Sequence, residues 1–558
     1  MLATLAGADR LWPFEGAARP VSTIAPPKIY RALLVWPKFP PSFWSWQATV
    51  EAVGRKAALP PLGLITVAAM CPGHWELRVI DEAVQPITDK DLTWADLVMV
   101  SAMEIQRGSV KVILNRARDA GRRTVIGGPY AASHTKELAL LADHVVSGEV
   151  EEDFAAIAAA LEAGSADPVY VLTSKPDVTL TPIPRYDLLN LQAYTAMSAQ
   201  FSRGCPFQCE FCDIIVLYGR KPRTKPPAQL VSELDAVRAA GWRGEVFLVD
   251  DNFIGNHVRA KELCVELKAW QGRHNYPLAF YTEASVNLAQ RTDLIEAMVD
   301  ANFQYVFLGI ETPSSESLNE TRKFQNLRTS LVDSVHILLK NGLWVMGGFI
   351  VGFDNDDETI FQRQQQFIEQ AAIPWAMVGM LQALRHTALH ERLQKEKRLY
   401  PDSTTGDNLS LPNFRTTLSR RTLAAGYCEL LDKLYSPAAY FKRSLRSMEL
   451  WRTRPPQTPP KLDWKFKLTA FLGGVWHLGF RSHYKAQFWS ALIQVVLRWW
   501  REPAKMQHGL SILLAARHMV QYSDYLTKLY RSVEIVDDPL YLGGKHDNEA
   551  ALPVALYR

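Results

Sequence analysis

The chain has 558 residues, of which 48% are hydrophobic and 22% are charged, as is typical of a folded globular protein. A chain of this length is too long to fold around a single hydrophobic core, so we expect two to four domains. The formal net charge of +4 is mild and no long run of Lys and Arg occurs, so composition gives no support for a nucleic-acid partner.

Residues 1–28 are predicted to be an extension that precedes the first domain. They lack a charged start followed by an unbroken apolar run, so we expect no secretory signal. No segment reaches the roughly 18 consecutive apolar residues that a membrane-spanning helix needs. The 6 cysteines are too sparse for a disulfide framework and indicate a reducing compartment. The expected location is therefore the cytoplasm.

Residues 29–165 alternate short apolar runs with helical stretches. The runs are YRALLVWPKF, WELRVID, ADLVMVSA, RRTVIGGP and DHVVSGE, each ending in small or turn residues. This alternation predicts a doubly wound α/β domain, in which a parallel sheet carries helices on both faces. Ligands of such sheets bind beyond the carboxyl ends of the strands. Those ends carry Ser101, Gly127, Gly128, Pro129, Gly148 and Glu149.

Residues 166–196 are rich in proline and predict a linker, after which a second alternation occupies residues 197–400. Its candidate strands are AQFSRG, EVFLVDDNF, LAFYTEASV, YVFLGIE, WVMGGFIVGF and WAMVGMLQAL. Six βα units in series predict a partial (βα)6 barrel. In such barrels the carboxyl ends of the strands form the active site, so five residues should converge there. They are Cys205, Asp250, Glu283, Glu311 and Gly352.

Three cysteines lie close together in the stretch FSRGCPFQCEFCD, residues 201–213: Cys205, Cys209 and Cys212. A zinc site would need a second arm of Cys or His ligands, and none is visible nearby. A redox disulfide would leave one cysteine over. Three thiolates would instead hold three irons of a four-iron cluster and leave the fourth iron open to an outside ligand. The spacing favours this last interpretation.

The match CPFQCEFC, with Phe211 in the aromatic position, resembles the signature of the radical S-adenosylmethionine (SAM) superfamily. The resemblance implies a [4Fe-4S] cluster, SAM bound at the open iron, cleavage of SAM to a 5'-deoxyadenosyl radical, and a reductant such as flavodoxin or ferredoxin. VDDNF replaces the more common Gly-Gly-Glu motif of that superfamily. The residues implied to contact SAM are Phe211, Asp250, Asp251, Asn252, Glu283, Glu311, Gly348, Ile350 and Gly352.

A doubly wound domain before such a barrel resembles the cobalamin-binding members of the superfamily. The matching segments are PPLGLITVAA, SAMEIQ, IGGPYAA and SGEVEED, which implies cobalamin at the strand ends named above, from Ser101 to Glu149. The Asp-x-His-x-x-Gly motif that supplies a lower histidine ligand is missing, and His74, His134 and His144 lie in other contexts. We therefore expect a cobalamin without a protein imidazole below the cobalt, which favours methyl transfer to a carbon radical.

Residues 401–535 predict an all-α module, followed by a tail over residues 536–558. This module resembles the helical extension of a subgroup that includes the hopanoid C-2 methylase and bacteriochlorophyll methylases. Its interleaved aromatic and basic residues fit a membrane interface, a cover over an apolar substrate, or an ordinary core with snorkelling cations. They are Trp476, Phe488, Trp489, Arg498, Trp499 and Trp500.

The prediction is therefore a cobalamin-dependent radical SAM methyltransferase acting on an unactivated carbon of a hydrophobic small molecule, such as a hopanoid lipid or a tetrapyrrole. Peripheral contact with a membrane is compatible with this function. One alternative is a radical SAM oxidoreductase or cyclase that acts on a tetrapyrrole without methylating it. Another is a corrinoid or iron-sulfur sensor.

Overall fold

The structure is a computed structural model that describes residues 31–400, 410–454, 457–458 and 464–535. The predicted extension over residues 1–28 and the tail over residues 536–558 lie outside the described residues. The described chain forms a parallel sheet with helices on both faces, a second parallel sheet curled into a partial barrel, and a bundle of helices. This architecture confirms the predicted fold class.

The first sheet has six parallel strands in the order β2-β1-β3-β4-β5-β6. The strand order reverses between β1 and β3, which is where ligands of doubly wound sheets bind. The strands are β1 Arg31–Trp36, β2 Glu76–Asp81, β3 Leu97–Ser101, β4 Arg123–Gly127, β5 His144–Ser147 and β6 Val169–Val171. The helices are α1 Gln47–Ala52, α2 Leu62–Met70, α3 Asp89–Trp94, α4 Arg107–Asp119, α5 Pro129–Ser133, α6 Thr135–Leu138 and α7 Phe154–Ala163.

The predicted linker over residues 166–196 contributes a strand that the sequence did not indicate. Strand β6 pairs with β5 at the edge of the first sheet, in the register Val145 with Val169 and Ser147 with Val171. The strand has only three residues and stands among prolines, so its periodicity is too short to detect. The connector between the two sheets is therefore shorter than predicted.

The second sheet has six parallel strands in sequential order, β7-β10-β11-β12-β13-β14, which confirms the partial (βα)6 barrel. A short antiparallel pair, β8 with β9, follows the first strand. The strands are β7 Ala196–Ala199, β8 Ser202–Arg203, β9 Arg223–Thr224, β10 Gly244–Leu248, β11 Leu278–Ala284, β12 Phe303–Glu311, β13 Trp344–Val351 and β14 Ala376–Met380. The first strand ends at Ala199, earlier than the predicted AQFSRG, because the chain already turns into the β8–β9 pair there.

The helices of this second unit lie between its strands. They are α8 Ile214–Leu217, α9 Pro227–Ala239, α10 His257–Arg273, α11 Thr292–Asp300, α12 Ser315–Glu320, α13 Leu331–Lys340, α14 Ile360–Gln370 and α15 Ala388–Lys395. The bundle that follows comprises α16 Arg420–Tyr435, α17 Pro437–Leu450, α18 Trp464–Gly474, a π-helical segment Val475–Arg481, α19 Lys485–Trp499 and α20 Pro503–Ser532. Among the described residues, no helix is long and apolar enough to cross a membrane.

The segment after β1 contacts both the barrel and the helical bundle. The Trp46 ring lies 5.0 Å from that of Trp375, which precedes β14. The Phe43 ring lies 4.7 Å from that of Tyr522 on α20. His518, also on α20, donates from Nε2 to the Phe43 carbonyl oxygen at 3.2 Å. A short stretch of the first domain therefore packs into both of the others.

Candidate active site

The three cysteines lie in the loop between β8 and β9. The loop starts at Gly204, whose φ of +92° and close approach to the Gly219 carbonyl oxygen leave no room for a Cβ atom. Cys205 donates its backbone N–H to that same carbonyl at 3.2 Å. No three His, Cys, Asp or Glu side chains among the described residues are placed to hold a single metal ion. A four-iron cluster does not require such convergence, because each thiolate binds a different iron.

Two aspartates that follow β10 accept hydrogen bonds from the backbone at the start of the cysteine loop. The Asp250 carboxylate accepts from the backbone N–H of Phe201 at 2.8 Å and from both the N–H and the hydroxyl of Ser202. The Asp251 carboxylate accepts from the Gly204 N–H at 3.0 Å. Asp250 is fully buried under the loop. Asp250 therefore positions the cysteine loop, and its contact with SAM stays a prediction.

Amide side chains donate to two of the cysteine sulfurs. Asn252 places Nδ2 at 3.7 Å from the Cys205 Sγ, and Gln325 places Nε2 at 3.6 Å from the Cys209 Sγ. Asn252 is itself oriented because its Oδ1 accepts from the Ser285 N–H at 3.3 Å. Hydrogen bonds to the sulfurs are one of the means by which proteins tune an iron-sulfur cluster. The sulfur environment thus fits a cluster.

Glu311 is held in a strained conformation at the end of β12. Its φ is +66°, the left-handed region that costs energy for a residue with a side chain. The buried Glu311 carboxylate pairs with the Lys323 ammonium. Gly309 makes this pair possible, since a Cβ there would lie 2.6 Å from the Glu311 Oε1. Burial by itself lowers the pKa of Lys323. The negative charges of Glu311 and Cys209 raise it by more, so the net shift of the Lys323 pKa is upward.

Three neighbouring barrel strands carry a carboxylate at or just after their carboxyl ends: Asp251 after β10, Glu283 on β11 and Glu311 on β12. The pKa of Glu283, on β11, is raised to about 8 by burial and then by the negative charges of Asp251 and Glu311. The pKa of Asp251 is raised to about 7, again mainly by burial. A ligand with positive charge would relieve this repulsion, and SAM carries a sulfonium and an ammonium group. The cluster therefore fits SAM, and Asp251, Glu283 and Glu311 remain predicted contacts.

The raised pKa of Glu283 predicts that SAM binding depends on pH. Below about pH 8 the Glu283 carboxyl is largely neutral, and above it the carboxylate attracts the sulfonium of SAM, whose charge does not depend on pH. We expect the affinity for SAM to rise roughly tenfold between about pH 6.5 and 8.5, as one interacting charge of this kind allows. Anaerobic equilibrium dialysis measures this change. Glu283→Gln should make the profile shallower and leave the part that comes from Asp251, whose pKa is about 7. An equally steep profile in that variant would contradict the assignment.

The predicted residues of the fifth barrel strand lie beside Phe211. The Phe211 ring is 6.0 Å from the Phe353 ring, and Ile350 packs in the same cluster. Gly348 has the Phe307 ring over it, so a Cβ at this position would lie 2.8 Å from that ring. Gly352 follows the strand with a φ of +102°. The structure thus brings Phe211 and the end of β13 together, and their contacts with SAM stay predictions.

The first sheet brings Ser101, Gly127, Gly128 and Pro129 together at its carboxyl edge. Ser101 and Gly127 are register partners on β3 and β4. Gly128 has a φ of +86°, and a Cβ there would lie 2.8 Å from the Ser101 Oγ. Pro129 then begins α5. The edge therefore has the close backbone packing expected beside a bulky ligand.

Gly148 and Glu149 follow β5 at the same edge, and both have structural partners. A Cβ on Gly148 would lie 2.2 Å from the Leu172 carbonyl oxygen, so the backbone at Leu172 leaves room only for a glycine. The buried Glu149 carboxylate pairs with Arg203 at 2.8 Å and with Arg223 at 2.7 Å. These arginines flank the cysteine loop. Glu149 thus joins the first sheet to that loop, and its contact with cobalamin stays a prediction.

The histidines of the first sheet lie at two different edges. His74 and His144 stand just before β2 and at the start of β5, away from the carboxyl ends. His134 follows α5 and lies 3.3 Å from the Glu104 carboxylate through Nε2. Its Nδ1 and the Tyr130 hydroxyl are buried and have no hydrogen-bond partner among the described residues. Such unsatisfied polar atoms beside Gly128 are compatible with a polar ligand at this edge.

The carboxyl edge of the first sheet contacts the barrel at two points. Glu149, after β5, pairs with Arg203 and Arg223 beside the cysteine loop, and the Trp44 ring, after β1, lies 4.6 Å from the Phe307 ring of β12. A ligand at the edge of the first sheet would lie beside the cysteine loop, because Glu149 at that edge pairs with the arginines that flank the loop.

The pKa of His134 is lowered to about 4 by burial and then by the positive charges of Arg385 and Arg107. Arg385 belongs to the loop after β14 of the barrel, whereas Arg107 begins α4 of the first domain. The positive charges that lower the pKa of His134 thus come from both units.

An aromatic wall adjoins the carboxylate cluster. Register pairs Glu283 with Phe307 and Tyr281 with Tyr305, so these four side chains lie on one face of the barrel sheet. The Trp44 ring, from the segment after β1, lies 4.6 Å from the Phe307 ring. An apolar substrate could pack against this wall while its polar neighbours hold SAM.

Three site residues were missed by the sequence analysis. Lys323 and Gln325 lie in SLNETRKFQN, which has the composition of an exposed turn, so only the fold shows that they are buried. Trp44 gave a usable signal, because PPSFWSW directly follows a strand of a doubly wound sheet and ligands bind at such positions. The sequence could therefore have indicated Trp44, whereas it held no signal for the other two.

Comparison with protein families gives two matches. Residues 199–362 match the Radical SAM superfamily, and residues 387–531 match a domain of unknown function, DUF4070. The chain is 45% identical over 496 residues to an uncharacterized methyltransferase of Synechocystis sp., covering 88% of this chain and 92% of the other. It is 34% identical over 503 residues to the hopanoid C-2 methylase of Rhodopseudomonas palustris, covering 88% and 93%.

Two solved structures have a similar fold over most of this chain. The cobalamin-dependent SAM radical enzyme OxsB, with aqua-cobalamin and SAM bound, has a TM-score of 0.56 at 13% identity, covering 92% of this chain and 82% of its own. The radical SAM methyltransferase TsrM of Kitasatospora setae, with cobalamin and a [4Fe-4S] cluster bound, has a TM-score of 0.56 at 16% identity, covering 85% and 100%. At these identities the likeness is one of fold.

Proposed function

Because the chain belongs to the radical SAM family that includes the hopanoid C-2 methylase, we propose that it is a cobalamin-dependent methyltransferase. Its substrate would be a hydrophobic small molecule, which it would methylate at an unactivated carbon. The observation that carries the proposal is the contact between the two carboxyl edges, where Glu149 of the first sheet pairs with Arg203 and Arg223 beside the cysteine loop. A methyl carrier on the first sheet would then face the site of SAM cleavage.

Different residues of the chain would bind the cluster, SAM and the substrate. Cys205, Cys209 and Cys212 would hold the cluster, and the carboxylates around Glu283 would attract the cationic ends of SAM. When bound, the cluster and cobalamin would supply reductive cleavage of SAM and a transferable methyl group, with electrons from a reductant such as flavodoxin or ferredoxin. The wall formed by Trp44 and Phe307 would bind the apolar substrate and exclude water.

A hopanoid is the first substrate to test, and a tetrapyrrole is the second. The match to the hopanoid C-2 methylase is longer and closer than the 24% identity over 419 residues to the bacteriochlorophyllide d C-12(1)-methyltransferase of Chlorobaculum tepidum. An aromatic wall suits either polycyclic molecule. Apolar walls discriminate between such substrates by only about 1–3 kcal/mol per methylene, so product analysis is needed.

The expected product has gained the mass of one methylene per turnover. Anaerobically reconstituted protein is supplied with SAM, a reductant and a hopanoid or tetrapyrrole, and mass spectrometry follows product and 5'-deoxyadenosine. Lipid and pigment profiles of cells with and without the protein identify the natural product. SAM cleavage with a product that lacks the added methylene would support the cyclase alternative, and no turnover of SAM with any small molecule would support the sensor.

A further inference from the structure

Residues 464–501 form a stretch of unusual charge. The stretch contains six Lys and Arg and five Trp but no Asp or Glu. At the average of the whole chain, which has 58 acidic residues, about four would be expected in a stretch of this length. It covers α18, the π-helical segment and α19. We call its exposed side the basic-aromatic face.

Large apolar side chains of this stretch are exposed along one side of α18. Trp464, Leu468, Phe471 and Leu472 follow the spacing of a single helix face, and Trp464 is 67% exposed. In a domain surrounded by water, such a stripe would normally be covered by another element. The helix thus presents an apolar stripe to its surroundings.

The exposed apolar surface continues over the next two segments. Trp476 and Phe480, in the π-helical segment, have ring centroids 6.3 Å apart, and the Phe480 ring lies 6.0 Å from that of Trp489. The exposed residues of these segments are Trp476, Phe480, Ile493, Val496, Leu497 and Trp500. The opposite side of α19 is buried against the bundle through Phe488, Leu492 and Val495. One side of α19 therefore belongs to the core and the other does not.

Cations are interleaved with these apolar residues. Lys467, Arg481, Lys485, Arg498 and Arg501 are all exposed. The Arg501 guanidinium lies 4.6 Å from the Trp500 ring centroid, and Arg498 pairs with Glu449 on α17 at 2.7 Å. Exposed Trp beside Lys and Arg is the arrangement that helices use at the boundary between lipid headgroups and acyl chains.

We propose that the basic-aromatic face binds the surface of an anionic phospholipid membrane, with α18 and α19 lying in the interface. Pairing of two copies through this face would place cations against cations, which disfavours a dimer. None of the described helices could instead cross the bilayer. The inference goes beyond the proposed function and does not depend on the substrate.

Vesicle flotation of the full-length protein tests the proposal. We expect binding to vesicles that contain phosphatidylglycerol and little binding to pure phosphatidylcholine. The variant Trp476→Ser/Leu497→Ser/Trp500→Ser should lose roughly tenfold or more of the binding. Lys485→Glu/Arg501→Glu should lose a similar factor, and its residual binding should no longer depend on anionic lipid. Brominated lipids should quench tryptophan fluorescence in the wild type.

A matched control replaces exposed apolar residues elsewhere. Val258→Ser/Val265→Ser changes α10, where both side chains are more than half exposed, and should bind vesicles like the wild type. Circular dichroism confirms that each variant is folded. Wild-type protein that does not float with anionic vesicles would overturn the proposal, as would unchanged binding by the triple variant. A dimer that the triple variant converts to monomer, without vesicle binding, would identify a protein interface instead.

Discussion

Replacing Cys209 by alanine should abolish the formation of 5'-deoxyadenosine. Three thiolates must hold three irons, so loss of one leaves a cluster that cannot bind SAM at a single open iron. We expect the rate to fall by about a thousandfold or more, as it does when an essential catalytic element is removed. Iron content and the absorbance of the reconstituted protein should fall with it. The same result is expected for Cys205→Ala and Cys212→Ala.

The matched control for these variants is Cys71→Ala. Cys71 follows α2 of the first domain, far in sequence from the cysteine loop, and is also a free thiol. Its replacement should leave the iron content and the 5'-deoxyadenosine rate close to those of the wild type. An intact cluster with undiminished SAM cleavage in Cys209→Ala would refute the assignment of the three ligands.

The largest effect on stability is expected for Lys323→Met. This change leaves the buried Glu311 carboxylate without its cation, and breaking such a pair costs about 3–5 kcal/mol. The unfolding transition of the protein in guanidinium chloride should move to lower denaturant concentration. Adding Glu311→Gln should restore much of the loss, because the second change removes the unpaired charge.

An exposed ion pair provides the comparison for Lys323→Met. The Lys261 Nζ lies 2.8 Å from the Asp293 Oδ2 on the surface, where water screens both charges. Lys261→Met should therefore unfold at nearly the same denaturant concentration as the wild type. Equal unfolding midpoints for Lys323→Met and Lys261→Met would show that the buried pair contributes no more than the surface pair.

Much of the fold was predictable because both sheets are parallel and buried. Their strands form short apolar runs separated by helices, a pattern that the sequence displays directly. The exceptions have physical causes. Strand β6 has only three residues, and the β8–β9 pair has two residues in each strand, so neither spans a recognisable period.

The candidate site was predictable where a motif is local in sequence, as for the three cysteines. It was less predictable where function depends on tertiary contacts. The sequence did not indicate that the Asp250 carboxylate accepts from backbone N–H groups of the loop that it supports. Lys323 acquires its importance only through a carboxylate twelve residues earlier in the chain. Such partners cannot be read from spacing alone.

The segment after β1 has a consequence for how the protein unfolds. Phe43 and Trp46 leave the first domain and pack their rings against α20 and the barrel, and His518 binds the Phe43 carbonyl from the bundle. Withdrawing this segment would expose apolar surface in all three parts at once. We therefore expect the three parts to unfold together, and an isolated barrel would lack side chains that complete its own core.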